Sequence, residues 1–165
     1  YTNSMKLSSV IAGFFYGLMS MVLMPLVLVL LSNFLQLPRL DNAYVQILGA
    51  FSVIFGGVLL VYSTRLFATY GNGGSPLPFD PPIKLVTVGV YKYIRNPMFT
   101  ASALIWFGEY FFFGSLLLLI YAIGWVTVNH THLIMQDEKW LEKRFGKEYL
   151  NYKKNTPRYI PRFIK

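Results

Sequence analysis

Arg95 and the adjacent pair Asp137-Glu138 are the residues whose types could hold a small charged molecule. Arg95 is ionised at any ordinary pH and offers a planar fork to a carboxylate or phosphate. Pro97, read as a first helical position, presets the backbone so that the first N–H groups of the helix point outward, a place that favours anions. Asp137 and Glu138 would hold a cation. A site with one anion-binding and one cation-binding end suits a zwitterion such as an amino-acid moiety. The same residues also fit a positively charged membrane anchor and a helix terminus with routine acids, and from the residues alone both readings stand.

The other chemistry-bearing residues say less. Glu109 is the one charge between Pro97 and Gln136; it lies near an expected outer turn and reads as an interfacial carboxylate. His130 and His132 are too few for a zinc site and read as polar residues lining a helix exit, so no metal is expected. Gly71-Asn72-Gly73-Gly74 has the composition of a phosphate loop without its Lys-Ser/Thr ending. Cysteine is absent, which excludes disulfides, thiolate nucleophiles and Cys-based zinc sites.

The elements that must position these residues are membrane helices. Apolar residues make up 55% of the 165 and charged residues 13%, about half the usual charged share, so the chain lacks the polar surface to cover itself in water. No charge occurs between Lys6 and Arg39, or from Ala43 to Thr64. The expected fold is all-α, a single polytopic domain over 1–165. Its spans fall near 9–31, 43–65, 97–112 and 116–133, each set by about 1.5 Å of rise per residue against a hydrocarbon layer of roughly 30 Å. Pro25 should kink the first span. Gly49, Gly56 and Gly57 should allow close helix contact in the second. The stretch 70–96 holds seven glycines and prolines through Pro82 and reads as an ordered cytoplasmic loop, of a length that is usually functional. Beyond the last span, 134–153 reads as an amphipathic helix with Leu141, Phe145, Tyr149 and Tyr152 on one face, supported by an Arg144–Glu148 pair and ended by Thr156-Pro157-Arg158.

Nine of the fifteen Lys and Arg lie between Lys139 and Lys165. In a membrane chain this pattern marks the cytoplasmic side and anionic headgroups rather than nucleic acid. Both termini, the loop and both polar edges are thereby expected on one cytoplasmic face, with Arg39 outside.

Taken together, the two edges resemble a known family. Gly89-Val90-Tyr91 through Arg95-Asn96-Pro97-Met98-Phe99 resembles the Arg-His-Pro-x-Tyr region of the isoprenylcysteine carboxyl methyltransferases, which are similar to the phospholipid methyltransferases. Asp137-Glu138-Lys139-Trp140-Leu141 resembles their Glu-Glu-x-x-Leu motif, and Phe145-Gly146-Lys147-Glu148-Tyr149 with Tyr152, Pro157-Arg158 and Pro161 their C-terminal signature. The resemblance implies S-adenosylmethionine as cofactor, bound on the cytoplasmic side, and a lipophilic acceptor reached sideways from the bilayer. It implies Lys84, Leu85, Val86, Tyr91, Arg95, Asn96, Phe99, Asp137 and Glu138 along the cofactor. Asn96 stands where the family has His, Asp137 where it has the first Glu, and His132-Leu133 near the place of an Arg that faces a substrate carboxylate.

The reaction implied is in-line methyl transfer, in which alignment and a dry site do most of the work. A carboxylate acceptor needs no base, whereas an amine must first lose a proton, with Glu138 or His132 to take it. Arg95, Glu138 and His132 are therefore the expected catalytic residues. Two rival readings remain: an NADPH-dependent sterol-type reductase, whose similar Arg-His-Pro-Asn-Tyr segment continues Gly-Glu where this chain has Thr100-Ala101-Ser102, and a non-catalytic membrane scaffold. Cofactor titration separates them.

Overall fold

The computed structural model describes Ile11 and residues 15–71 and 83–161. The described residues are helical, with no strand among them and one isolated bridge between Arg39 and Ser115. Three helices are long and apolar enough to cross a membrane: Phe15–Phe34 (α1), Ala43–Tyr70 (α2) and Leu116–Phe145. The last comprises α4 (Leu116–His132), a π-helical stretch Leu133–Asp137, and α5 (Glu138–Phe145). Between α2 and α4 runs α3 (Pro97–Phe113). Its 17 residues give about 25 Å, short of the roughly 30 Å layer, so four full spans are not what the helices supply. The expected first-span start at 9–10 and the Gly-rich segment 72–82 lie outside the described residues.

Pro25 acts on the turn before it. Its ring excludes the carbonyl four residues back, and the helix there widens into a π-turn, Met19–Leu23, before resuming as Met24–Phe34. Helix α2 opens on Asn42, whose side chain accepts from the N–H groups of Tyr44 and Val45 at 3.0 and 3.3 Å. It continues to Tyr70, five residues past the expected end at 65.

The centre of the fold is the antiparallel α2–α3 pair. A Cβ on Gly49 would stand 2.5 Å from the Phe112 nitrogen, and one on Gly56 2.9 Å from the Ala101 carbonyl oxygen. Gly108 answers from the other side, 2.9 Å from the Val53 nitrogen. Ser52 Oγ closes the contact by donating to the Leu104 carbonyl at 2.8 Å. Gly57, expected in the same role, has nothing within 4 Å of its Cβ position. It lies one residue on from Gly56, about 100° round the helix, and faces outward.

At one end of this pair the α1–α2 and α3–α4 turns meet. Leu40 N–H donates to the Gly114 carbonyl at 3.0 Å, and Gly114 holds φ +65°, which a side chain would oppose. Glu109, five residues before this turn, is packed inside the bundle at 8% exposure, and its Oε2 has no partner among the described residues.

At the opposite end α4 passes through the π-stretch into α5. The amphipathic helix expected over 134–153 is broken at Gly146, with φ +52° and ψ −124°, and α6 (Lys147–Asn155) turns back. The expected Arg144–Glu148 pair straddles the break and does not form. Arg144 lies over the Trp140 and Phe145 rings instead, and Lys153 reaches back to Glu142 at 2.6 Å.

Candidate active site

The segment before α3 is shaped by a short 3-10 turn, Gly89–Lys92, which directs Tyr91 inward against Phe67 with ring centroids 6.5 Å apart. The chain is non-helical at Asn96 (φ −125°, ψ 61°) and becomes helical at Pro97, since the residue before a proline is kept out of the helical region. Residues past α6 then return alongside. The N–H groups of Arg95 and Asn96 donate to the carbonyls of Pro157 and Arg158 at 2.9 and 3.1 Å. Two backbone bonds thus join the Arg-Asn-Pro edge to the C-terminal Pro-Arg, which end the helix because proline cannot continue it.

This pairing assembles an ionic cluster around Glu138, only 3% exposed. Arg95 Nη1 lies 3.3 Å from its Oε1. Arg158 donates from Nε to Oε1 at 2.8 Å and from Nη2 to Oε2 at 3.1 Å, the two-point grip that makes guanidinium–carboxylate pairs strong. Lys153 Nζ stands 3.2 Å from Oε2. Arg95 Nη1 also donates to Tyr149 Oη at 3.3 Å, and Tyr152 Oη donates to the Tyr91 carbonyl at 2.6 Å. Burial pushes the Tyr149 and Tyr152 phenols above their ordinary range, so both remain donors. Hydrogen bonding to Glu142 and to Glu138 holds Lys153 and Arg158 above theirs.

The sequence-expected residues divide. Arg95 and Glu138, 43 positions apart, meet directly, and Tyr91 and Asn96 adjoin them through backbone bonds. Phe99, in the first turn of α3, is stacked between Tyr159 at 4.7 Å and Trp125 at 5.7 Å. Val86 is buried and Leu85 half-buried, while Lys84 is exposed. Asp137 and His132 do not join the cluster: they pair with each other at 3.4 Å, both about half exposed. Neighbouring residues on a helix project about 100° apart, so once Glu138 turns inward Asp137 must turn away. Sequence reasoning missed Lys153, Arg158 and Tyr159 as site residues. The signal was the Pro-Arg pair, read as a helix stop and as part of a C-terminal signature but not as a source of site residues.

Beside the cluster a cavity of about 220 Å³ is lined by Arg95, Lys153, Lys154, Thr156, Pro157 and Arg158. Ligand clefts usually span roughly 300–1,000 Å³, so this one has room for only part of a small molecule. Its cationic walls, with buried Arg95 Nε and Asn96 Nδ2 lacking partners among the described residues, suit a carboxylate end. The larger cavity, about 450 Å³, lies elsewhere, on the outward face of α2 between Val53 and Arg65. Its lining is apolar except at the Tyr62–Arg65 end.

Apolar helices of membrane-crossing length, with an ionic cluster at one end, define an integral membrane protein. The phospholipid methyltransferase family profile matches residues 44–148. That stretch covers α2 through the first residues of α6 and includes both polar edges. The chain belongs to that family, whose members are membrane methyltransferases. No curated protein matches it.

Proposed function

We propose that this chain transfers a methyl group from S-adenosylmethionine to a lipid-borne nucleophile at the cytoplasmic end of its helices. The observation that carries the reading is the convergence of Arg95, Glu138, Lys153 and Arg158, from three separate stretches of chain, beside a cationic cavity. When bound, the cofactor supplies a methyl on a positively charged sulfur, already a good leaving group. The residues of the chain then do the rest.

Arg95 and Asn96, with Arg158 and Lys153, would hold the cofactor's carboxylate. Glu138 fixes those cations and keeps their mutual repulsion from opening the site. The faces of Phe99, Trp125 and Tyr159 line the way from the cluster into the bilayer, and aromatic faces favour a cation. Tyr91 and Tyr149, both buried, exclude water where the displacement must occur. Topology supports a lipid acceptor: Phe99 lies in the first turn of α3, past Arg95, on a helix whose far end meets the opposite turn. The cytoplasmic placement of both termini follows from the Lys and Arg count and belongs to the same proposal.

Proteoliposomes given methyl-labelled S-adenosylmethionine, followed by lipid separation, test the reading. Label in a lipid fraction is the expected result. Its absence from every lipid, with cofactor binding intact, would remove transfer from the account.

A further inference from the structure

Helix α2 carries a single charge, Arg65, and no Asp or Glu. Among the described residues Arg65 forms no ion pair. Counted from Ala43, about twenty residues at about 1.5 Å each fill a hydrocarbon layer of roughly 30 Å, which ends near Ser63. Arg65 therefore stands at the headgroup edge, at the end of α2 that faces the segment leading to Arg95. Tyr62 marks the same level: a Cβ on Gly89, in the 3-10 turn before Arg95, would stand 3.0 Å from Tyr62 Oη.

From Arg65 the cavity of about 450 Å³ runs back along α2 to Val53. Twelve residues at about 1.5 Å make roughly 18 Å, which reaches the middle of a layer roughly 30 Å thick. That is the depth of one leaflet. Gly57 leaves the space open, with nothing within 4 Å of its Cβ position, between the exposed side chains of Ile54, Val58 and Val61. The result is a slot for one extended acyl chain with a cation at its mouth.

The slot is separate from the ionic site. It shares no lining residue with the cavity beside Glu138. Ser63, fully buried, marks the inner face of α2, where its carbonyl accepts from Tyr91 Oη at 3.5 Å. Arg65 is two residues on, about 160° away round the helix by the shorter path. A second copy of the chain fits the slot badly. Copies share one orientation in a membrane, so a two-fold pairing along this face would set Arg65 beside Arg65 with no carboxylate on either helix.

We propose that this slot seats one anionic phospholipid of the leaflet on the Arg95 side, as a fixed component of the protein. An acyl chain lies over Gly57, and the phosphate meets the Arg65 guanidinium, whose planar fork matches phosphate oxygens. Tyr62 Oη is a further donor at the same level. A zwitterionic headgroup would bring an ammonium that finds no carboxylate on α2, so a net negative headgroup is the better match. Because Tyr62 also borders the Gly89–Lys92 turn, the bound lipid fastens α2 to the segment that leads into Arg95.

The test uses the full chain in detergent, without methyl donor, offered equal amounts of phosphatidylglycerol and phosphatidylcholine with matched chains. Native mass spectrometry counts the lipid retained. The wild type should keep one phosphatidylglycerol per chain, favoured about fivefold, the worth of one cation against an anionic headgroup. R65Q should remove the preference, and G57L, which fills the slot, should remove the retained lipid. K143Q, at an exposed position of the basic helix α5, should change neither. With no lipid added, all three variants should unfold at the wild-type temperature; should G57L prove less stable, R65Q decides alone. A preference kept in R65Q and lost in K143Q would assign the lipid to the basic tail. A doubled mass would assign the slot to a second copy, and displacement by glycerol phosphate would reduce it to an anion contact without an acyl chain. Each of these results overturns the proposal and leaves methyl transfer untouched.

Discussion

Glu138 meets three cations in a nearly closed space, yet its partners are unequal. The Arg95 side chain is 7% exposed, whereas those of Lys153 and Arg158 are about a third exposed. Losing the carboxylate therefore hurts most through Arg95, left charged and buried without its partner. Glu138→Gln should cost about 3 kcal/mol and abolish cofactor binding, with the membrane helices intact; thermal unfolding in detergent and a cofactor titration measure the two effects, and unchanged affinity would remove the cluster from the site. Alkali should loosen the same region. Lys153 is held above its ordinary value of 10.5 by Glu142 and Glu138, so its contribution is fully present below 10.5 and fades as pH rises through the raised folded value. Tyr152, raised by burial, adds to the loss in the same direction. Hydrogen exchange in α6 should rise above about pH 10.5 in the wild type, and the rise should shrink in Lys153→Met. An equal rise in the variant would assign the effect to Tyr152 alone.

Helix contacts set the next level. Gly49, Gly56 and Gly108 let α2 and α3 approach until a single methyl would collide with the facing backbone. Gly49→Ala should lower stability by about 2 kcal/mol, the usual cost of overpacking, and shift the ends of the pair that carry the cluster. Gly57→Ala meets open space and should be neutral or slightly stabilising, since alanine is the better helix former. Thermal unfolding of the two variants side by side decides it, and equal losses would mean that the close approach is not what stabilises the pair. Gly146 has a different reason to be glycine: its backbone angles are ones that side chains resist. They let α6 fold back so that Lys153 reaches Glu138 and Glu142.

Across the whole molecule the charges sort by end. Arg39 and Asp41 border the turn that meets Gly114, while Arg95, Lys153 and Arg158 gather at the other. Because cysteine is absent, single Cys substitutions report orientation cleanly. A Cys at exposed Lys154 should react with an impermeant reagent from the cytoplasmic side only, and one at exposed Asp41 from the outer side only; the reverse would invert the proposed topology. Hydropathy and charge alone pointed to a membrane protein and to where its principal helices run, because apolar length is a property of sequence; that Arg95 and Glu138 lie together was left open by the residues, and the 3.3 Å ion pair between them belongs to the tertiary structure. Family resemblance at the two edges agreed with the family that the profile match assigns. Composition could not reveal the break at Gly146, since periodicity passes smoothly across a residue whose backbone angles only packing selects. Nor could it divide Asp137 from Glu138: which way a helix is rotated, after a π-stretch that shifts its phase, is decided by what lies beside it. The return of the chain past Pro157 onto Arg95 was likewise invisible, because two backbone bonds between residues about sixty positions apart leave no local signature and exist only once the tertiary structure has brought those strands of chain together.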